Sequence, residues 1–264
     1  MKSSRIVFYC LLAGIWLSGC SAIQAQAVAP APTAAETAVP AIANLEYIGH
    51  SSFLLTASDG TRIVMDPYQD FTTPREIQKY PKGITADAVV LTHFHPDHSN
   101  WKAIAGARLI FEPGTDAVGI VKLSGFAGDH GIFNGAPAGN NTVWVFEIGQ
   151  IKIVHTGGAA VITQPEILAA MENADVVIMR ASGDGAHPVA DIMKQLRELN
   201  TRTLIPTHYS ISAEYRYTTL TLDEFLGLLG PDETVVRMDG SELEVTAGMP
   251  RQVVVLRPSA LDSQ

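Results

Sequence analysis

Three histidines and an aspartate lie within six residues, directly after an apolar run of the sequence. The run at 87–91 is apolar and rich in β-branched residues, which is typical of a buried strand. The cluster of His93, His95, Asp97 and His98 therefore begins where a core strand passes into a loop, a usual position for functional groups. Only 8 histidines occur in the chain, so this spacing argues against a chance surface cluster.

The residue types in the cluster indicate metal binding. In an extended or tightly turned loop, His93 and His95 point the same way, and Asp97 and His98 project toward a neighbouring point. One segment can therefore serve two adjacent metal ions. Imidazole and carboxylate ligands together suit zinc.

The pattern His93-x-His95-x-Asp97-His98 after a hydrophobic strand resembles the signature of the metallo-β-lactamase superfamily of metallohydrolases. The segments 49–53 and 63–67 are similar to the opening of its branch that contains ascorbate-6-phosphate lactonase and N-acyl-phosphatidylethanolamine phospholipase D. Two later regions resemble the hairpin and the strand that deliver further histidine ligands, at 141–157 and 206–209. These motifs occur in the family's order, so the resemblance covers residues from about 44 to 256.

The resemblance implies two metal sites and their ligands, occupied by one or two zinc ions. The first site would consist of His93, His95 and His155. The second would consist of Asp97, His98 and His208. Asp97 and His98 would thereby take a direct part in catalysis. The implied activity is metal-dependent hydrolysis of a small-molecule ester, lactone or phosphoester, and a true β-lactamase is a further alternative.

The chain departs from the family at Gly158, where relatives usually carry an aspartate that bridges the two metals. Loss of that carboxylate increases the repulsion between two dications, so the second ion should bind more weakly. Two hypotheses from different classes stay open. The protein is a hydrolase with a weakened or empty second site, or a degenerate enzyme that retains metal for binding or structure.

Other polar residues are expected near the site. Arg180 replaces a glycine-rich pocket segment of relatives, and it either binds an anionic substrate group or points to solvent or pairs with Asp184. His50 and His130 are expected to contact the substrate, although His50 can equally be a hydrogen-bonded structural histidine. Asp66 ends its strand beside the site, where a carboxylate can orient a ligand histidine.

The first nineteen residues, 1–19, read as a signal peptide, with a basic start and an apolar stretch too short to span a bilayer comfortably. It ends in a sequence that resembles the lipobox of bacterial lipoproteins, so Cys20 is expected to be lipidated. Ser21 suggests by resemblance an outer-membrane lipoprotein that faces the periplasm. The alternative is an ordinary secretory signal cleaved near Ala22 or Ala25, which would give a soluble periplasmic or secreted protein.

Composition bounds the mature protein. An Ala/Pro-rich tether at 20–43 precedes the predicted metallo-β-lactamase-fold domain at 44–257 and a short tail at 258–264. The formal net charge is −9, which is poorly suited to nucleic acid, since nucleic acid demands phosphate neutralisation. Membrane contact is expected through the lipid anchor only. Both cysteines lie at or before residue 20, so the domain has neither a disulfide nor a thiolate ligand.

The apolar pattern predicts an α/β fold. We expect early strands at 45–48, 52–57, 61–66, 87–91, 107–111, 142–148 and 151–155. Predicted helices at 164–173, 189–199 and 222–229 then alternate with strands at 176–179, 203–206, 233–238, 242–246 and 252–256. Strands first and a βα alternation later fit two sheets between helices. The resemblance implies the same four-layer αββα sandwich, with the metal site at one edge.

Overall fold

The computed structural model describes residues 42–70, 79–133, 136–137, 139–159, 161–182, 188–210 and 220–263. The predicted signal peptide, nearly all of the tether, Cys20 and Asp184 lie outside these ranges. No helix among the described residues is long and apolar enough to cross a membrane.

The described strands number sixteen, and three α-helices accompany them. The strands are β1 Ala43–Gly49, β2 Ser52–Ala57, β3 Arg62–Met65, β4 Ala88–Val90, β5 Arg108–Ile110, β6 Gly114–Val118, β7 Val121–Asp129, β8 Ile132–Phe133, β9 Ala136–Pro137, β10 Asn140–Ile148, β11 Ile151–His155, β12 Val176–Arg180, β13 Thr203–Thr207, β14 Val235–Arg237, β15 Glu242–Val245 and β16 Gln252–Val255. The helices are α1 Pro165–Met171, α2 Val189–Glu198 and α3 Leu222–Gly227.

Most strands belong to two sheets. The first sheet has the order β15-β1-β2-β3-β4-β5, and the second has the order β14-β16-β13-β12-β11-β10-β7-β6. In the first sheet β3, β4 and β5 run parallel. In the second, β11, β12 and β13 run parallel. The carboxyl ends of these parallel strands carry the loops that hold the candidate site.

A hydrophobic core lies between the two sheets, because alternate side chains of a strand point to opposite faces. From β2, Phe53 and Leu55 enter this core and meet Trp144 and Phe146 from β10. All four are buried. Leu54 faces the other side of the first sheet.

The outer faces of the two sheets are covered differently. Helices α1, α2 and α3 pack on the second sheet through Ile167, Met193 and Phe225. In the described residues, loops and two 3₁₀ turns cover the first sheet, at Trp101–Ala103 and Ser259–Ser263. This arrangement agrees with the predicted αββα architecture. Among the described residues, the helical layer on the first sheet consists of the two 3₁₀ turns only.

Two regions differ from the prediction. The hairpin of β6 and β7 was not expected, because Gly125 and Gly128 interrupt the apolar pattern of β7. Gly125 is required there, since a Cβ would lie 2.6 Å from the Trp144 ring. The expected tail is also part of the domain. Ala260, in the final 3₁₀ turn, is buried in the same cluster as Ile48.

Candidate metal centre

The histidine-rich loop at 93–98 follows β4 and is anchored to both sheets. At the end of β3, Asp66 accepts hydrogen bonds from the Thr92 backbone N–H at 2.7 Å and from the Thr92 hydroxyl at 2.6 Å. From the second sheet, Nε1 of Trp144 donates to the Leu91 carbonyl at 2.8 Å. The loop therefore starts from a backbone held by the rigid sandwich, which fixes the histidines that follow.

Three histidines converge to form the first ligand group, which consists of His93, His95 and His130. Each offers a ring nitrogen within 4.8 Å of the others. The ring centroids are 4.6 Å apart for His93 and His95, 4.5 Å for His93 and His130, and 4.7 Å for His95 and His130. His130 follows the end of β7, where its backbone N–H donates to the Gly139 carbonyl at 3.0 Å.

His155, predicted as a ligand of the first site, is not part of this group. At the end of β11 it is buried, and its Nδ1 faces the Gly157 backbone N–H at 3.4 Å. Its Nε2 lies 3.1 Å from Oδ2 of Asp66. His155 joins neither ligand group among the described residues, and its buried Nε2 has no hydrogen-bond partner among them. His155 stays a predicted ligand, and His130, predicted as a substrate contact, lies beside His93 and His95.

The second ligand group consists of His50, Asp97, His98 and His208. Oδ2 of Asp97 lies 3.0 Å from Nε2 of His50, 3.3 Å from Nε2 of His208 and 3.9 Å from Nε2 of His98. The predicted second-site residues are thus together. His50, predicted to contact the substrate, joins them.

Asp66 supports residues of both groups. Its Oδ2 accepts a hydrogen bond from Nδ1 of His98 at 2.8 Å, which leaves Nε2 of that ring facing Asp97. The Thr92 hydroxyl, which donates to Asp66, lies 2.9 Å from Nδ1 of His93. A carboxylate in this position fixes the tautomer and orientation of a ligand histidine. The geometry agrees with the predicted orienting role of Asp66.

Two imidazoles of the first group, those of His93 and His130, are held neutral. Burial, with a smaller contribution from the charge of His98, lowers the pKa of His93 well below its usual range. Burial and the neighbouring His95 lower the pKa of His130 to about 4. Neutral imidazole is the form that binds a metal ion, so these two ligands are prepared for one at neutral pH.

The second group contains a carboxylate and a histidine with opposite tendencies. Burial disfavours the charge of Asp97, but hydrogen bonds from His208 and His50 hold its pKa below its usual range. Burial alone would lower the pKa of His98, but the Asp66 carboxylate raises it above the ordinary value of 6.5. A cation is therefore favoured at this point of the structure.

Arg180 ends β12 and is 7 % exposed, so the alternative in which it points to solvent does not hold. Its Nε donates to Oγ of Ser182 at 2.9 Å. Burial is the largest cause of the lowered pKa of His130 and of His208. The charge of Arg180 makes a smaller contribution in the same direction to both. Arg180 thus acts electrostatically on both ligand groups.

A cavity of about 630 Å³ reaches the first group. His93 and His95 line it together with Phe94 and Phe111, whose ring centroids are 5.1 Å apart. Phe94 is 58 % exposed although it is large and apolar. No residue of the second group is among the described residues that line this cavity.

The family model of the beta-lactamase superfamily domain matches residues 44–208. This range covers more than half of the chain and includes every residue of both ligand groups. The chain belongs to the metallo-β-lactamase superfamily.

Curated relatives of this metallo-β-lactamase superfamily protein carry the name UPF0173 metal-dependent hydrolase. The chain is 22% identical over 197 residues to that of Carboxydothermus hydrogenoformans, which covers 63% of this chain and 84% of the relative. It is 24% identical over 229 residues to that of Thermococcus onnurineus, with 75% and 97% coverage. The protein is a metal-dependent hydrolase of this superfamily.

Two solved structures are similar to this chain. A protein of Thermotoga maritima, described as a zinc-dependent hydrolase of the superfamily, shares 27% identity at a TM-score of 0.63, covering 81% of this chain and 98% of that one. An isothiocyanate hydrolase from Delia radicum gut bacteria has a TM-score of 0.57 at 18% identity, covering 77% and 100%, and shows the same fold. The lactonase-like branch stays a prediction.

The residues present fit a metal ion. Ring nitrogens of His93, His98 and His130 are buried without a hydrogen-bond partner among the described residues. Such groups cost free energy unless something binds them, and a cation at each ligand group would do so. Imidazole and carboxylate donors without thiolate are a set that suits zinc.

Gly158, at the position of the superfamily's bridging aspartate, is packed against a ligand. A Cβ at Gly158 would collide with the ring of His130. The Gly158 backbone N–H donates to Oδ1 of Asn141 at 2.9 Å, which fixes the glycine in this place. The missing carboxylate and the position of His130 are therefore parts of one arrangement.

Proposed function

We propose that this protein is a zinc-dependent hydrolase that acts on a small ester, lactone or phosphoester, with an atypical second metal site in which Gly158 replaces the bridging aspartate. The observation that carries the proposal is the convergence of two ligand groups, one of which faces a cavity. When bound, zinc supplies a Lewis acid and a nucleophile at neutral pH.

The protein's own residues would divide the remaining work. His93, His95 and His130 hold the first ion at the cavity wall, where a substrate can reach it. Phe94 and Phe111 offer an apolar surface to the substrate and exclude water from it. Arg180 supplies a buried positive charge that favours a substrate with an anionic group.

The test is a panel of aryl esters, lactones and phosphodiesters, assayed with zinc-loaded protein, with chelated protein and with Phe94→Ala. We expect one class to be hydrolysed, turnover to stop on chelation and return with zinc, and Phe94→Ala to raise KM more than it lowers kcat. Full zinc occupancy without turnover of any class would instead support the second hypothesis, a degenerate protein that retains metal for ligand binding.

We also propose that the protein is an outer-membrane lipoprotein whose domain faces the periplasm. The signal-like segment and Cys20 support this location, and the negative charge of −9 supports a small-molecule substrate rather than nucleic acid. Cys20→Ala should move the protein from the membrane fraction to the soluble periplasmic fraction. Unchanged fractionation, or an intact mass that shows cleavage near Ala22 or Ala25, would support an ordinary secreted protein.

A further inference from the structure

We propose that His50 is a fourth protein ligand of the second metal ion, so that the second group closes around its ion while the first group leaves a position for substrate. The inference rests on the proposed zinc function and adds that the two ions have different roles. Its evidence lies in the position of one ring, the backbone that carries it, and the surroundings of the two groups.

The His50 ring is placed as a ligand would be. Its Nε2 lies 3.0 Å from Oδ2 of Asp97, and its centroid is 4.1 Å from the His208 ring and 5.6 Å from the His98 ring. The four residues each offer one donor atom, and all four atoms lie within 4.8 Å of one another. Three nitrogens and one carboxylate oxygen form a complete tetrahedral set for zinc.

The backbone at His50 is constrained to hold this ring. His50 has φ of 55°, a left-handed conformation that is uncommon outside glycine, and the register of β1 and β2 shifts between Tyr47 and Gly49. Its carbonyl accepts hydrogen bonds from the His208 backbone N–H at 3.0 Å and from the Tyr47 hydroxyl at 3.1 Å. Such strain persists where surrounding contacts enforce it, as they do at functional sites. These bonds link the backbones of two residues in the set.

The two groups differ in donor number and in access. Structural zinc sites use four protein ligands, whereas catalytic sites use three and keep one position open. The first group has three donors, of which His93 and His95 line the cavity. The second group has four donors, and none of them is among the described residues that line that cavity. The geometry therefore assigns the substrate to the first ion.

The competing role for His50 is that of a hydrogen-bond partner that only positions Asp97. The two roles differ in the number of imidazoles bound to the second ion, three if His50 is a ligand and two if it is not. Loss of a positioning residue also weakens a metal site, so affinity alone does not separate them. The decisive measurement counts imidazole ligands.

The experiment uses full-chain protein with His93→Ala and His95→Ala, which empties the first group, loaded with one equivalent of cobalt(II). We expect X-ray absorption to count three imidazoles, azide to leave the visible spectrum unchanged, and zinc affinity to fall by about tenfold or more on adding His50→Asn. Asparagine tolerates the left-handed backbone and retains a donor for Asp97. The added substitution should reduce the count to two and make the spectrum respond to azide.

A count of two imidazoles in the protein that retains His50 would overturn the inference. This measurement does not require that a His50 variant folds. Circular dichroism confirms that each variant used is folded. The coordination count does not depend on turnover. Failure of every substrate in the panel would therefore contradict the proposed hydrolase alone, and a count of two in a zinc-dependent enzyme would contradict the role of His50 alone.

Discussion

The two ligand groups are built from different chemistry although they share one loop. The first consists of imidazoles without a carboxylate, from the loop after β4 and the end of β7. The second contains the Asp97 carboxylate, with Asp66 behind His98. A dication in the first group would keep its full charge, while one in the second would be partly neutralised. An ion in the first group would therefore be the more electrophilic of the two, and it would face the cavity.

Emptying the first group should reduce activity more than any other change. His93→Ala with His95→Ala should remove the ion at the cavity and lower kcat/KM by about a thousandfold or more, which corresponds to about 4 kcal/mol of transition-state stabilisation. The second ion should remain. Elemental analysis of the purified variant should therefore find about one zinc per chain. Loss of all metal would show that the two groups do not bind zinc independently, which would contradict the difference between them.

Asp66 offers a second way to separate the groups. Asp66→Asn keeps the size of the side chain but removes the charge that holds Nδ1 of His98 and, through the Thr92 hydroxyl, Nδ1 of His93. We expect zinc affinity of the second group to fall by about 10- to 100-fold and that of the first by less, as judged by competition with a chelator.

Thr92→Val is the matched control for Asp66→Asn. It removes only the hydroxyl beside His93 and leaves the contact between Asp66 and His98 in place. It should weaken zinc at the first group by about tenfold and leave the second group unchanged. Equal losses at both groups in both variants would mean that Asp66 acts through general stability and not through the two histidines.

Much of the fold followed from local sequence, because apolar alternation marks a strand wherever one face is buried. β7 did not, since its Gly125 exists to accommodate Trp144 from another strand. The site divides in the same way. His93, His95, Asp97 and His98 are contiguous, so their spacing alone brings them together. The third histidine of the first group, His130, depends on where β7 ends relative to β11, and sequence spacing does not contain that information.

Gly158→Asp tests whether the missing carboxylate is a simple loss. The resemblance alone suggests that aspartate would restore a bridging ligand and strengthen the second site. The structure predicts the opposite sign for the first site, because the new Cβ would collide with the ring of His130. Displacing one of three ligands should lower zinc affinity of the first group by about tenfold or more, about 1.4 kcal/mol.

Gly240→Asp is the control for Gly158→Asp, since a Cβ there meets nothing within 4 Å. It should leave zinc affinity unchanged. Gly158→Ala should reproduce the loss without adding a carboxylate, because the collision starts at Cβ. If Gly158→Asp instead binds the second zinc more tightly and leaves the first unaffected, then His130 can move aside and is not fixed as a ligand.

The smallest effect expected is a separation of the two ions by pH. Protons compete with a metal for a histidine, so affinity falls once pH drops below the pKa of that ligand in the metal-free protein. Burial and the neighbouring His95 lower the pKa of His130 to about 4, and burial with the charge of His98 lowers that of His93 further. Two of the three ligands in the first group therefore stay neutral between pH 8 and pH 5, and zinc affinity of this group should decline less over that range than zinc affinity of the second group. In the second group burial opposes a charged His98, but the Asp66 carboxylate raises its pKa above 6.5. Its zinc affinity should already decline as pH falls through neutrality.

Zinc measured after dialysis over this range should fall from two ions to one, and the ion that remains should be the one lost in His93→Ala with His95→Ala. Simultaneous release of both ions would contradict this separation, and it would show that the two groups, whose His93 and His98 rings are 4.1 Å apart, do not bind independently.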